Sequence, residues 1–279
     1  MTHRKLFVVC LSTHWCIGRG RRMNMEIENQ LDNVTKNTPN RSQSGPNPEY
    51  IQDLFESIST DYDKANSMIT MGMVGRWRKA FIEKSGAKKG DKILDCATGT
   101  GDLAFEFKKV VGDAGQVIGT DFCKGMLSMG PEKAKRLKLD VKFEFADATQ
   151  LPYENNQFDI ASIGYGIRNV ENPMRALSEM ARVTKPGGRV MILETGETHN
   201  PVLRPFIKFY FNRIVPVLGG WATGKRSAYE YLNKSSNQFP CREEFLHLMW
   251  ETGRFFDLEY TSLMGGASFI YKGVVKPDK

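Results

Sequence analysis

Lys92-Ile93-Leu94-Asp95-Cys96-Ala97-Thr98-Gly99-Thr100-Gly101-Asp102-Leu103-Ala104 reads as a short buried strand, a glycine-bearing turn and the start of a helix. Gly99 and Gly101 allow the backbone to come close to a ligand. The helix opening at Asp102 turns free backbone N–H groups towards polar or anionic atoms. About twenty residues further on, Asp121 closes the next strand, where a carboxylate can take both hydroxyls of a ribose. The plain alternative is a glycine turn kept for packing, because a single fingerprint of this kind is a weak signal.

Outward from that stretch, strands and helices alternate. Residues 116–120, 141–146, 158–163 and 189–194 read as further strands. Residues 102–111, 126–137 and 173–183 read as helices, the last with Pro173 in its first turn. Repeated strand–helix units imply a parallel sheet with right-handed crossovers. Residues 185–188 (Lys-Pro-Gly-Gly) read as a turn. Upstream, Ile51, Leu54, Phe55 and Ile58 recur at helical spacing within a helical region spanning 49–84. Downstream, the rhythm breaks at 196–240, an aromatic-rich insertion, and resumes with a helix near 242–253. Strands at 255–263 and 267–275 are joined by Met264-Gly265-Gly266 and should pair as an antiparallel hairpin. The fold class expected is α/β: a doubly wound, mostly parallel seven-stranded sheet ending in an antiparallel hairpin.

The glycine loop alone leaves the ligand open, since Gly99 to Ala104 with Asp121 also fits a dinucleotide site. Two features favour S-adenosylmethionine. Asp95 heads the loop, where it can meet an ammonium group directly or through water, and a pyrophosphate would gain nothing from a carboxylate there. The terminal hairpin also departs from the mostly parallel nicotinamide-binding sheet. Asp147 and Ala148 follow the third strand, where an acid can accept from an adenine amino group, and a loop-start Asp capping its own turn is the alternative. Tyr165, Arg168 and Asn169 follow the fourth strand, at the carboxyl end where open α/β sheets bind ligands. Their alternative reading is Arg168 paired with a surface acid and Asn169 starting a helix.

Composition sets wider bounds. The 279 residues are 41% hydrophobic and 25% charged, as expected of a globular chain. The net charge of +7 could attract anions or be a mildly basic solvated surface. No nucleic-acid partner is expected. The five cysteines form no CxxC pair and no cluster with histidine, so no metal site and no disulfide framework are expected. No apolar run approaches the ~18 residues of a membrane span. Residues 1–48 read as a disordered or targeting-like extension: the first 25 residues carry Arg4, Lys5, Arg19, Arg21 and Arg22 and no acid, and 29–48 are polar. The folded domain is expected over 49–279, in the cytoplasm.

With these residues in hand, the chain closely resembles the ubiquinone/menaquinone biosynthesis C-methyltransferases, from about Phe55 to Lys272. Tyr62-Asp63-Lys64-Ala65-Asn66 with Gly72, Arg76 and Trp77 is similar to that family's amino-terminal signature. Residues 94–103 are similar to its cofactor loop, including alanine at 97 in place of a first glycine. Residues 166–170 and 182–188, and Tyr231-Leu232, Ser235 and Phe239-Pro240, match further motifs. Ala65 replaces the usual methionine, Thr70 the usual serine, and Gly164 a serine that contacts cofactor in some members. The resemblance implies that Thr100, Asp121, Asp147 and Ala148 bind S-adenosylmethionine.

It further implies methyl transfer to a ring carbon of a polyprenylated quinol, a demethylmenaquinol or a polyprenyl-methoxybenzoquinol. Arg168, Asn169 and Tyr165 are then the candidates for acting on the acceptor, with the proton acceptor left open. Rival readings are a dinucleotide oxidoreductase and a non-catalytic cofactor-binding scaffold of a quinone-biosynthetic complex. The insertion should be the acceptor lid and a peripheral contact with the inner face of the membrane. Phe206, Ile207, Phe209, Phe211, Ile214 and Val215 spread around almost a whole helix. Arg204 and Lys208 lie one turn apart, in reach of lipid headgroups. The alternative is a cap or a homodimer contact.

Overall fold

In a computed structural model, described here over residues 21–23, 45–198 and 201–277, the centre of the molecule is one eight-stranded sheet. Its strands are β1 (Arg21–Met23), β2 (Lys92–Cys96), β3 (Gln116–Asp121), β4 (Lys142–Phe145), β5 (Phe158–Gly164), β6 (Thr184–Thr195), β7 (Phe255–Leu263) and β8 (Ser268–Val275). The spatial order is β1-β7-β8-β6-β5-β2-β3-β4. The pairs β2–β3, β3–β4, β2–β5 and β5–β6 are parallel, while β6–β8 and β7–β8 are antiparallel. The expected doubly wound sheet with a terminal hairpin is therefore present.

Two details differ from the sequence reading. Arg21–Met23, inside the extension expected to be unstructured, adds an eighth, antiparallel edge strand against Leu258–Tyr260. Backbone hydrogen bonding needs no hydrophobic pattern, so nothing in the local sequence signals such an edge. Residues 1–20 and 24–44 lie outside the described residues, while Asn47 and Pro48, also counted in the extension, already belong to the cap and first turn of the first helix. The turn expected at 185–188 is instead the irregular start of β6, whose register with β5 shifts between Phe158 and Ile160.

The helices are α1 (Pro48–Ile58), α2 (Tyr62–Ile69), α3 (Met73–Ser85), α4 (Asp102–Val111), α5 (Lys124–Leu137), α6 (Pro173–Val183), α7 (Leu203–Phe209), α8 (Val215–Thr223), α9 (Arg226–Gln238) and α10 (Glu243–Glu251). Local chemistry fixes several starts. The Asn47 side chain caps α1 by accepting the Tyr50 N–H at 3.1 Å, and Asn172 caps α6 by accepting the Arg175 N–H at 2.9 Å. Each is followed by a proline in the first turn, where no N–H is needed. One sheet face packs α6 and α10 around Phe158, Leu177, Met180 and Phe245, and the other packs α3 and α4 around Phe81, Phe105 and Phe107.

The insertion is not a single helix. A π-helical turn, Tyr210–Ile214, separates α7 from α8. Val215, Ala228 and Tyr229 pack under it against Leu54, Ile58, Ala65 and Ile69 of α1 and α2. The amino-terminal helices and the insertion thus form a second small core above the carboxyl ends of the strands.

Candidate functional site

The chain runs from β2 outward to β4 and then returns to place β5 on the other side of β2. The crevice at this switch of direction lies between the loops after Cys96 and Gly164, the position where open α/β sheets bind ligands. Both loops carry non-glycine residues in the left-handed region: Ala97 at φ 46° and Tyr165 at φ 57°. Such conformations cost energy and persist where the surroundings impose them, as at binding sites. The loops also touch, since a Cβ on Gly166 would lie 2.6 Å from the Ala97 Cβ. Gly101 adopts φ 90° and sits so close to Phe143 that a Cβ would clash at 2.7 Å.

Asp95 is buried at the end of β2, where its carboxylate accepts the Thr98 hydroxyl at 2.6 Å and the Ser162 hydroxyl at 2.7 Å. It braces the glycine loop against β5. Asp121 accepts the backbone N–H of Gly99 at 2.8 Å and of Cys123 at 2.8 Å, which ties the same loop to the end of β3. Burial pushes both carboxyls up to about 6. Asp147 accepts the backbone N–H and the hydroxyl of Thr149, each at 2.8 Å, so it caps its own turn.

A cavity of about 100 Å³ opens between these loops. Gly99, Asp121, Asp147, Ala148, Tyr165 and Asn169, all expected from sequence, line it together. Ile51, Phe55 and Tyr62 of the amino-terminal helices close it from above, and Phe122, Cys123 and Met126 form a side. Asp95, Thr100 and Gly101 do not line it. The Thr100 hydroxyl instead donates to Asp63 at 2.7 Å. Lys133 Nζ reaches Asp63 at 2.7 Å, Thr100 Oγ1 at 2.9 Å and Asp102 at 2.5 Å, and Arg78 pairs with the other Asp102 oxygen at 2.6 Å. This ionic cluster joins α2 and α3 to the glycine loop, α4 and α5. Sequence reading missed it, because Asp63 and Lys133 are 70 residues apart and neither position is unusual alone.

A second, larger cavity of about 440 Å³ lies under the insertion, within the usual size of small-molecule sites. Apolar side chains of α2, α3, α7 and the π-turn dominate its wall, among them Ile69, Trp77, Ile207 and Phe211. Arg168, Thr195 and Ser236 are among its polar groups. Tyr62 and Tyr165 line both cavities. Burial raises both phenols above their ordinary pKa and keeps them neutral. Arg168 Nη1 pairs with Glu194 at 2.5 Å and donates to the Tyr165 carbonyl at 2.9 Å. The acid is buried, not the surface acid of the alternative reading. Asn169 accepts the Tyr231 hydroxyl at 3.3 Å and does not start a helix, since α6 begins at Pro173. Glu194 was missed by the sequence reading, since it closes an ordinary buried strand.

The model of the ubiE/COQ5 methyltransferase family matches residues 43–275. The chain belongs to this family. The methyltransferase is 55% identical over 235 residues to the ubiquinone/menaquinone biosynthesis C-methyltransferase UbiE of Bdellovibrio bacteriovorus, covering 84% of this chain and 100% of that one. It is 38% identical over 232 residues to the demethylmenaquinone methyltransferase of Staphylococcus aureus, covering 83% and 95%. Among solved structures it is similar in fold to a SAM-dependent methyltransferase from Aquifex aeolicus, with TM-score 0.52 and 18% identity, covering 82% and 99%. Family membership favours a methyltransferase over the oxidoreductase and scaffold readings. Among the described residues, no helix is long and apolar enough to cross a membrane.

Proposed function

We propose that this methyltransferase moves a methyl group from S-adenosylmethionine to a ring carbon of a polyprenylated hydroquinone. The observation that carries the reading is the shared wall. Tyr62 and Tyr165 border both the acid-bearing cavity at the glycine loop and the large apolar cavity under the insertion. A polar ligand in the first and an aromatic acceptor in the second would meet at these two residues.

The residues fit the donor. Asp121 stands at the end of β3 to take ribose hydroxyls, and Asp147 with Ala148 borders the same cavity for the adenine amino group. Asp95, just behind the loop, adds negative charge near a cationic ligand and holds Thr98 in place. Gly99 and Thr100 complete the loop, and Gly101 lets it turn past Phe143. When bound, S-adenosylmethionine supplies a methyl group already activated by sulfonium charge.

The chain's own task is to align the acceptor and make its ring carbon nucleophilic. Alignment is worth roughly 7–11 kcal/mol at best. Arg168 stays charged at neutral pH, so it stabilises phenolate rather than removing a proton. The neutral Tyr165 phenol, which shares a hydrogen bond with the Ser268 hydroxyl at 3.2 Å, positions the acceptor's oxygens, while Asn169 borders the first cavity rather than the second and accepts the Tyr231 hydroxyl. The polyprenyl tail leaves through the insertion. Phe206, Phe209, Val217 and Trp221 are exposed there, and we assign them to a membrane surface, with a homodimer contact as the rival use. Arg204 and Lys208 contribute little to headgroup binding, because both pair with Glu197, at 2.7 and 2.8 Å.

The test is methyl transfer from labelled S-adenosylmethionine to short-tailed demethylmenaquinol and its benzoquinol counterpart, side by side. Labelled product from at least one supports the reading. Cofactor binding without turnover on either would leave a scaffold.

A further inference from the structure

The large cavity poses a chemical problem. Its acceptor must lose a hydroxyl proton, yet no Asp, Glu, His or Lys lines it among the described residues. Its tyrosines are held neutral by burial and its arginine does not deprotonate. Two cavity-lining hydroxyls, however, form a directed chain. Ser236 Oγ donates to Thr195 Oγ1 at 2.7 Å, and Thr195 Oγ1 donates to Glu194 Oε1 at 3.0 Å. The chain ends on a carboxylate that is 1% exposed and whose second oxygen has no partner among the described residues.

We propose that Glu194 is the proton acceptor of the reaction, reached from the acceptor cavity through the hydroxyls of Thr195 and Ser236. This rests on the quinol reading above. The acceptor hydroxyl gives its proton to the hydroxyl chain, each hydroxyl passes one on, and Glu194 gains one, leaving a phenolate in the cavity. The ring carbon then forms its bond to the methyl carbon as the methyl–sulfur bond breaks, the electron pair staying on sulfur. The ring C–H proton leaves to water, and Glu194 returns its proton along the chain to the ring oxygen. One proton is released overall.

The pairing with Arg168 makes the step productive. While Glu194 is ionised, it neutralises the guanidinium 2.5 Å away. Once Glu194 is protonated, the Arg168 charge is uncompensated and faces the new phenolate on the cavity wall. A buried pair broken in this way exerts a strong field, because little solvent screens it. The charge of Glu194 also helps to shift the phenols of Tyr165 and Tyr271 upward. Neither can take the proton in its place.

The experiment measures kcat for quinol methylation from pH 6 to 10 in wild type, Glu194→Gln and Thr195→Val, with calorimetric S-adenosylmethionine affinity alongside. A positioned base contributes about 10²–10⁴-fold, so Glu194→Gln should lose at least about 10²-fold at pH 7. Thr195→Val, which leaves the ion pair intact, should lose about tenfold or more at that pH. Both deficits should shrink towards pH 10, where the hydroxyl ionises without help, and cofactor affinity should stay within twofold. A deficit independent of pH in either variant, or wild-type turnover in Thr195→Val, overturns the proposal. If Glu194→Gln fails to fold, Thr195→Val carries the same test. Should wild type itself methylate no quinol, the functional reading fails instead.

Discussion

The Asp121 carboxylate accepts the backbone N–H of Gly99 at 2.8 Å, so the acid at the end of β3 also fixes the shape of the glycine loop after β2. On the proposed reading, one side chain serves the ligand and the loop that holds it. Asp121→Ala should weaken S-adenosylmethionine binding by more than the loss of a single contact. Hydrogen bonds to charged groups are worth about 1.5–3 kcal/mol each, which corresponds to roughly ten- to a hundredfold in affinity. Titration calorimetry checks this, and unchanged affinity would remove Asp121 from the site.

Asp95 and Asp121 carry a pH signature. Burial raises both carboxyls to about 6. Because the folded form holds these protons more tightly than the unfolded chain, the two groups lower stability as pH rises from about 4 to about 6. Their contribution is most favourable in acid and is lost by about pH 6. A cationic ligand with hydroxyl donors favours the ionised acids, so cofactor affinity should run the other way and fall as pH drops below about 6. Calorimetry at pH 6 in buffers of different ionisation enthalpy should show protons released on binding. Asp121→Asn should reduce that release.

Lys133 joins the amino-terminal helices to the glycine loop by three contacts: Asp63, Thr100 and Asp102. The amine is mostly buried, so removing it takes the cation from Asp63 and leaves Asp102 with Arg78 alone, which costs more than losing an exposed pair. Lys133→Met should speed cofactor dissociation by roughly tenfold and loosen α2, whose Tyr62 lines both cavities. Lys133→Arg should restore part of the effect. Stopped-flow dissociation measures the first, and hydrogen exchange at residues 62–69 the second.

Phe206 and Phe209 are 71% and 62% exposed, so they contribute little to the core. Phe206→Ser with Phe209→Ser should leave the melting temperature within about 2 °C, an exposed-site effect. It should reduce binding to anionic vesicles and lower activity on long-tailed more than short-tailed acceptors. Equal loss on both acceptors with a fall in melting temperature would return these side chains to the core.

Much of this architecture is written locally. The strand ending at Asp95, the acid at 121 and the hairpin around Met264–Gly266 follow from periodicity and turn chemistry, and together they specify the sheet. Gly99, Asp121, Asp147, Ala148, Tyr165 and Asn169 converge because each follows the carboxyl end of a strand, a property the sequence displays. Relations between distant, ordinary residues were not legible. Glu194 looks like any residue closing a buried strand until Arg168, 26 positions away, is seen against it. Thr100 reads as a ligand contact, but α2 folds over it and Asp63 claims its hydroxyl. The insertion's apolar residues divide between a small core and open surface because α1 and α2 lie beneath it, which no helical wheel of the segment alone reveals. Arg21–Met23 pairs with the sheet edge through its backbone, which no side-chain pattern announces.

The proposed reaction is carbon methylation of a tailed hydroquinone in a cavity that meets the first cavity at Tyr62 and Tyr165. The direct measurement is a reaction of purified protein with S-adenosylmethionine carrying a trideuterated methyl and a short-tailed hydroquinone with one open ring position, the product being examined by mass spectrometry and proton NMR. The expected product shows a mass gain from one CD3 replacing one ring hydrogen, with loss of that ring proton's signal. Retention of every ring proton with the label on oxygen, or no label transfer from a protein that binds the cofactor, would contradict it.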